Sequence, residues 1–442
     1  GRMGAILSEP VTAMVVERCT CAHWASAVVT MQGWRRSHED AHILSECSEG
    51  SSGVFAVLDG HGGQTAAEEG AVLLKARLEQ LVKRGVLNAD DAARQMEDLF
   101  IQCDVRLRAH LGAEDRSGST VVCGVVTMPK PNEYCVHLAH AGDSRAVLCS
   151  GGRLVCTEDH KPNREDEQRR IEAAGGTVSQ GPLGGGPMRV DGALAVSRAF
   201  GDFHFKPAGM APAKCKVSAV PEVRTVTGCI AGDWLFIACD GVFDVMENDE
   251  VRDFVSSRLA GSDGPADGGK IMVDILQHCL DKGSKDNCTA LLVQFGPPAG
   301  TVKPTRSIEL LQGNWERASP EVQSKYVEFF SSHGFEAEAK ALQLQAQSSG
   351  SGRRGAANGR GAPDKASPGQ GQGQAAGRGA GGAAAASAGR DPAAQQTTGA
   401  RQLATLTRAL QAIRSTRAIQ TAWRNRQTPA DKEGSGGRAS GR

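Results

Sequence analysis

Short apolar runs, separated by Gly-rich or charged breaks, dominate the chain between residues 25 and 295. Val54-Phe55-Ala56-Val57-Leu58 lies between Gly53 and Asp59-Gly60. A run of that length without polar alternation predicts a strand buried on both faces. Similar runs at 120–126, 135–141, 146–149, 234–239 and 289–295 predict further strands. Elsewhere the period changes. Ala67, Ala71, Leu74 and Leu78 recur at three- and four-residue steps and predict a helix over 65–82. Met96, Leu99, Cys103 and Leu107 predict another over 89–111. Strands with helix pairs inserted indicate an α/β or α+β sandwich.

Residues 159–206 break this rhythm. They are polar and Gly-rich, with Gly184-Gly185-Gly186 near the middle, and read as a surface loop or flap. Past residue 296 a small helical appendage, 297–345, is expected. Ser319-Pro320-Glu321 supplies a capping Ser, a Pro at the first turn and an acid. Val322, Tyr326 and Phe329 then share one face, His333-Gly334 ends that helix, and 336–345 reads as another. Residues 346–400 are Gly/Ala/Gln/Ser/Arg low complexity, to which no structure is assigned.

The 442 residues carry 50 Lys+Arg and 50 Asp+Glu, but the balance is uneven along the chain. Residues 346–442 hold 15 basic and 4 acidic groups, leaving an acidic body with a basic tail. The tail's only aromatic is Trp423, too little apolar surface to offset the entropy of ordering, so disorder is expected there, including 427–442. The thirteen cysteines lie singly in apolar runs and read as free buried thiols of a reducing compartment. No apolar stretch approaches the roughly 18 residues of a membrane span. Gly1-Arg2 reads as a cloning remnant ahead of Met3, and Met3-Gly4-Ala5-Ile6-Leu7-Ser8 then matches an N-myristoylation signal on Gly4 within the N-terminal segment 1–24.

The acids carry the chemistry. Leu58 leads into Asp59-Gly60, Ala141 into Gly142-Asp143, and Cys239 into Asp240-Gly241. Asp286 stands just before a strand run, and Glu39-Asp40 follows Trp34-Arg35-Arg36. One Asp-Gly after a strand is most often a turn. Carboxylates repeated at the mouths of apolar strands need something to neutralise them. Acids with carbonyls and water form the ligand set of hard dications such as Mg²⁺ or Mn²⁺. No sequence cluster of His or Cys suggests zinc.

Eight segments in order resemble the metal-dependent (type 2C) serine/threonine protein phosphatases. They are Met31-Gln32-Gly33-Trp34-Arg35 through Glu39-Asp40-Ala41-His42, Phe55 through Asp59-Gly60-His61-Gly62-Gly63, and Ser117-Gly118-Ser119-Thr120. Next come Ala141-Gly142-Asp143-Ser144-Arg145, Asp159-His160-Lys161-Pro162, and Leu194 through Ser197-Arg198-Ala199-Phe200-Gly201-Asp202. The last are Cys239-Asp240-Gly241-Val242-Phe243-Asp244 and Asp286-Asn287-Cys288-Thr289.

The resemblance spans 25–296 and implies an α+β fold: two packed antiparallel sheets flanked by helices, with metals at one end. It implies that Asp59 bridges two ions beside the Gly60 carbonyl, and that Asp240 and Asp286 complete one of them. Glu39 and Asp40 would act on the neighbouring ion, directly or through water, and Asp143 with Asp244 would hold a third, weaker one. Arg35 would grip the substrate phosphate and His61 would protonate the leaving alkoxide. Hydrolysis of phosphoserine or phosphothreonine in proteins would follow from a water activated between Mn²⁺ or Mg²⁺ ions. Two positions depart from the family pattern: His38 stands where Met is usual, and Phe243 where Trp is frequent. The alternative is a slow or inactive phosphoprotein-binding adaptor using the same site and the basic tail.

Residues 401–426 stand apart from the rest of the tail. Leu406, Leu410, Ile413 and Ile419 follow steps of 4, 3 and 6 among arginines, a basic amphipathic helix suited to a calmodulin-like partner or an anionic membrane surface. The expectation is a monomeric, cytoplasmic enzyme, membrane-associated if Gly4 is acylated and with the nucleus still open to it. No nucleic-acid partner is expected.

Overall fold

The structure is a computed structural model and describes residues 6–45, 52–85, 87, 91–112, 114–181, 184–261, 266–296 and 305–354. In chain order the strands begin with β1 (Val11–Thr20), β2 (Trp24–Gly33), β3 (Ala41–Leu44), β4 (Ser52–Leu58), β5 (Gly60–His61) and β6 (Gly118–Ser119). They continue with β7 (Val121–Lys130), β8 (Glu133–Ala141), β9 (Arg145–Ser150), β10 (Arg153–Cys156), β11 (Val178–Gln180) and β12 (Met188–Val190). The last are β13 (Phe200–Gly201), β14 (Glu222–Ile230), β15 (Trp234–Ala238), β16 (Cys288–Phe295) and β17 (Thr305–Leu311). The helices are α1 (Thr65–Lys83), α2 (Ala92–His110), α3 (Glu165–Ala173), α4 (Asp240–Phe243), α5 (Asn248–Ala260), α6 (Gly268–Asp281), α7 (Pro320–Ser332) and α8 (Glu336–Arg354). None is long and apolar enough to cross a membrane among the described residues.

Two sheets form the body. One has seven strands, ordered β10-β9-β15-β16-β2-β1-β17, and the other five, ordered β14-β8-β7-β4-β3. All pairings within them are antiparallel. The unalternating apolar runs are explained by burial on both faces. In β4, Val54, Ala56 and Leu58 pack with Leu74, Leu78, Met96 and Phe100 of α1 and α2. Phe55 and Val57 point the other way, onto Leu235, Ile237, Leu291 and Val293 of the seven-stranded sheet. Phe236 and Ala238 of β15 face Val251 and Val255 of α5 and Ile275 of α6. Side chains alternate along each strand and so serve two cores at once. The result is the α-β-β-α sandwich that the resemblance implied.

Three regions differ from the sequence reading. β1 lies within the segment read as an N-terminal extension, and its Val11, Ala13 and Val15 are buried against α7. β17 adds a strand to the segment read as purely helical, pairing with β1 from Met14↔Leu311 to Thr20↔Thr305. Ser319 precedes α7 as expected, but its hydroxyl makes no capping bond and is buried without a partner. The flap is also more than a loop. It holds α3 and the β11–β12 hairpin over a small core of Ile171, Val190, Val196, Ala199, Phe205 and Val217. Among the described residues eleven cysteines are free, all but Cys156 buried. Cys19 is disulfide-bonded, which departs from the expectation of free thiols throughout.

Candidate active site

The sandwich delivers its acids to one end. Asp59 follows β4, Asp143 follows β8, Asp240 opens α4 after β15, and Asp286 precedes β16. Glu39 and Asp40 come from the turn between β2 and β3. Two glycines make the convergence possible. A Cβ on Gly60 would stand 2.3 Å from the Glu39 carbonyl oxygen, and one on Gly241 would stand 2.0 Å from the Asn287 carbonyl oxygen. Only a bare backbone allows these segments to approach so closely.

Asn287 holds the turn. Its Oδ1 accepts the Glu39 N–H at 3.0 Å, and its Nδ2 donates to the Gln32 and Ser37 carbonyls at 2.7 and 3.0 Å. Ser37 Oγ and the Gly63 N–H donate to the two Glu39 carboxylate oxygens. Thr289 Oγ1 donates to Asp40 Oδ2 at 2.6 Å. Asp40 Oδ1 and Asp240 Oδ1 are buried and accept no hydrogen bond.

The cluster is electrostatically unfavourable by itself. Burial, reinforced by Asp240, Asp40, Asp286 and Asp143, pushes the Asp59 carboxyl well above the usual carboxylate range. Burial and then Asp143, Asp286 and Asp244 do the same to Asp240. Burial raises Asp40 to about 7 and also lifts Asp286 and Asp244. Among the described residues two side-chain cations touch the group: Arg35 bonds Asp286, and Lys161 bonds Asp143. Burial opposes charge on Arg35, yet Asp286, Asp240 and Asp59 hold its pKa above normal. Buried oxygens without donors, on carboxyls that resist ionisation together, fit a site built for multivalent cations.

His61 lies beside this cluster. Its Nε2 contacts Asp202 Oδ2 at 2.7 Å, and Asp202 is itself buried. Burial alone would lower the His61 pKa, but Asp202, aided by Asp143 and Glu39, outweighs it and the net shift is upward. The imidazole is therefore held towards its protonated form.

A second group, His140, His160 and Glu222, brings potential ligand atoms within 4.8 Å of one another. Most of its polar atoms are engaged, although His160 Nε2 is buried without a hydrogen bond of good geometry. His160 Nδ1 accepts the Gly142 N–H at 3.2 Å, so the proton resides on Nε2, which faces Glu222 Oε1 at 3.3 Å. His140 Nε2 donates to the Glu158 carbonyl at 2.7 Å, and Arg164 also bonds Glu222. This is a structural network and leaves no imidazole lone pair on His160 for a metal.

The family model for Protein phosphatase 2C matches residues 24–288. The chain belongs to that family. It is accordingly a serine/threonine protein phosphatase. It is 38% identical over 305 residues to the mouse protein named Probable protein phosphatase 1N, covering 67% of this chain and 71% of that one. It is 35% identical over 345 residues to rat Protein phosphatase 1B, covering 70% and 80%. A crystal structure of a phosphatase from Toxoplasma gondii superposes with a TM-score of 0.59 at 26% identity, covering 67% of this chain and all of that one.

The site residues expected from the resemblance, namely Arg35, Glu39, Asp40, Asp59, Gly60, His61, Asp143, Asp240, Asp244 and Asp286, fall in this one region. Gly4 and the basic segment 401–426 lie outside the described residues. Four neighbours had no role assigned from sequence: Lys161, Asp202, Asn287 and Thr289. Each stood inside a matched motif, but its work is to contact a residue distant in sequence, which no local pattern announces.

Proposed function

We propose that the chain hydrolyses phosphoserine and phosphothreonine in proteins at a binuclear Mg²⁺ or Mn²⁺ site. The buried, unpartnered Oδ1 atoms of Asp40 and Asp240 carry this reading. In it, Asp59 would serve both ions with the Gly60 carbonyl beside it, Asp240 and Asp286 would complete one, and Glu39 and Asp40 would act on the other, directly or through water. Asp143 with Asp244 takes a third, weaker ion. Such a pair supplies a water of lowered pKa and offsets charge on the phosphoryl oxygens.

The chain's own side chains bind and protonate. Arg35 lies at the acid cluster, where its planar fork suits two phosphate oxygens. His61 offers the proton on Nδ1 to the departing seryl or threonyl oxygen, while Asp202 steadies the ring through Nε2. An alkoxide is a poor leaving group, so a positioned acid contributes roughly 10²–10⁴-fold. The test is phosphate release from a phosphopeptide by the full chain with Mn²⁺. Asp59→Ala is expected to abolish release, and a variant as active as the native chain would overturn the assignment.

A further inference from the structure

We propose that His38, Thr30 and Thr289 are positioning residues that link helix α7 to the Asp40 carboxylate. This deepens the reading above and rests on Asp40 serving a metal ion. The connection is a continuous run of short hydrogen bonds. His38 Nε2 lies 2.7 Å from Thr30 Oγ1, Thr30 Oγ1 lies 2.7 Å from Thr289 Oγ1, and Thr289 Oγ1 lies 2.6 Å from Asp40 Oδ2. Thr30 on β2 and Thr289 on β16 are direct cross-strand partners and are 1% and 0% exposed.

The direction of the run is determined by proton count. Each hydroxyl has one hydrogen. An Asp40 that serves a metal ion is ionised and can only accept, so the Thr289 proton goes to Asp40. Thr289 must then accept from Thr30, and Thr30 must accept from His38. His38 is therefore the Nε2–H tautomer.

α7 sets where that ring lies. The His38 ring meets Phe329 edge-on at 5.4 Å and His333 at 5.0 Å. Phe329 is buried, and His333 packs on it at 4.2 Å while donating from Nδ1 to the Phe329 carbonyl at 2.8 Å. Tyr326, one turn earlier, ties the helix to β1 through bonds to the Thr12 N–H and hydroxyl at 3.0 and 2.9 Å. A displacement of α7 is thus felt by the side chain that orients Asp40. The family usually has Met at position 38, and a Met side chain has no N–H to donate to Thr30.

The test uses the full chain and measures Mn²⁺ affinity by titration calorimetry alongside kcat and KM on a phosphopeptide. His38→Met should weaken Mn²⁺ binding about tenfold, in the range for groups that support a metal ligand. His38→Gln, which retains a donor, should recover most of that loss. His333→Ala should weaken binding in the same direction and be less than additive with His38→Met, because both act through one ring. The phosphopeptide KM should change little. Folded His38→Met and His333→Ala variants with native Mn²⁺ affinity would overturn the proposal. If His38→Met does not fold, the His333→Ala affinity decides. A native chain that fails to bind Mn²⁺ at all would instead overturn the metal reading on which this one stands.

Discussion

Glu167 secures the flap that leads into Asp202, and its replacement by Gln gives a stability change with a defined pH signature. The side chain is 1% exposed. Its Oε1 accepts from Arg170 Nη1 at 2.6 Å and from Arg198 Nη2 and Nε at 2.7 and 3.0 Å, while Oε2 accepts from Ser197. Burial alone would raise this carboxyl, but the Arg198 and Arg170 guanidiniums overcome it and hold it at about 2, against an ordinary 4.5. At ~1.4 kcal/mol per tenfold change in proton affinity, the ionised network contributes about 3 kcal/mol. Removing one partner of a buried pair costs about 3–5 kcal/mol, which agrees.

The sign follows from the depressed pKa. The contribution is complete above the unfolded value of 4.5 and is lost as pH falls towards 2. Urea denaturation of native and Glu167→Gln proteins should differ by about 3 kcal/mol at pH 7 and by about 1.5 kcal/mol at pH 3. A difference that does not change between those pH values, or one below about 1 kcal/mol at pH 7, would refute the reasoning.

His61→Gln should lower kcat on a phosphoserine peptide by roughly 10²–10⁴-fold and far less on an aryl phosphate, whose leaving group needs no acid. Because Asp202 raises the His61 pKa, the acid form persists to higher pH, and its loss should make the native rate decline on the alkaline side. Loss of that decline in the variant is the expected result, and equal losses on both substrates would count against the assignment. For metal-stripped protein, burial holds Asp40 at about 7 against an ordinary 3.8, so the folded chain retains a proton that the unfolded chain releases. Its melting temperature should therefore fall as pH rises from about 4 to about 7. Mn²⁺ binding at pH 6 should release protons, read by calorimetry in buffers of different ionisation heat, and a buffer-independent heat would contradict this.

Much of the fold and the acid set was legible in the sequence. Runs such as 54–58 and 234–238 lack polar alternation because both of their faces are buried, and that constraint is written residue by residue. Asp59, Asp143 and Asp240 were legible because each stands at the end of such a run, and Asp286 because it stands just before one, where an uncompensated carboxylate calls for a cation. Tertiary structure alone decided the rest. β17 is largely exposed in its own burial pattern, and becomes a strand because β1 offers it an unpaired edge. Asp202 reaches His61 across 141 positions, and Thr289 reaches Asp40 across 249. Periodicity reports which face of an element is buried. It does not report which distant element meets that face, and here those meetings set the protonation of the acid and the orientation of a metal-site carboxylate.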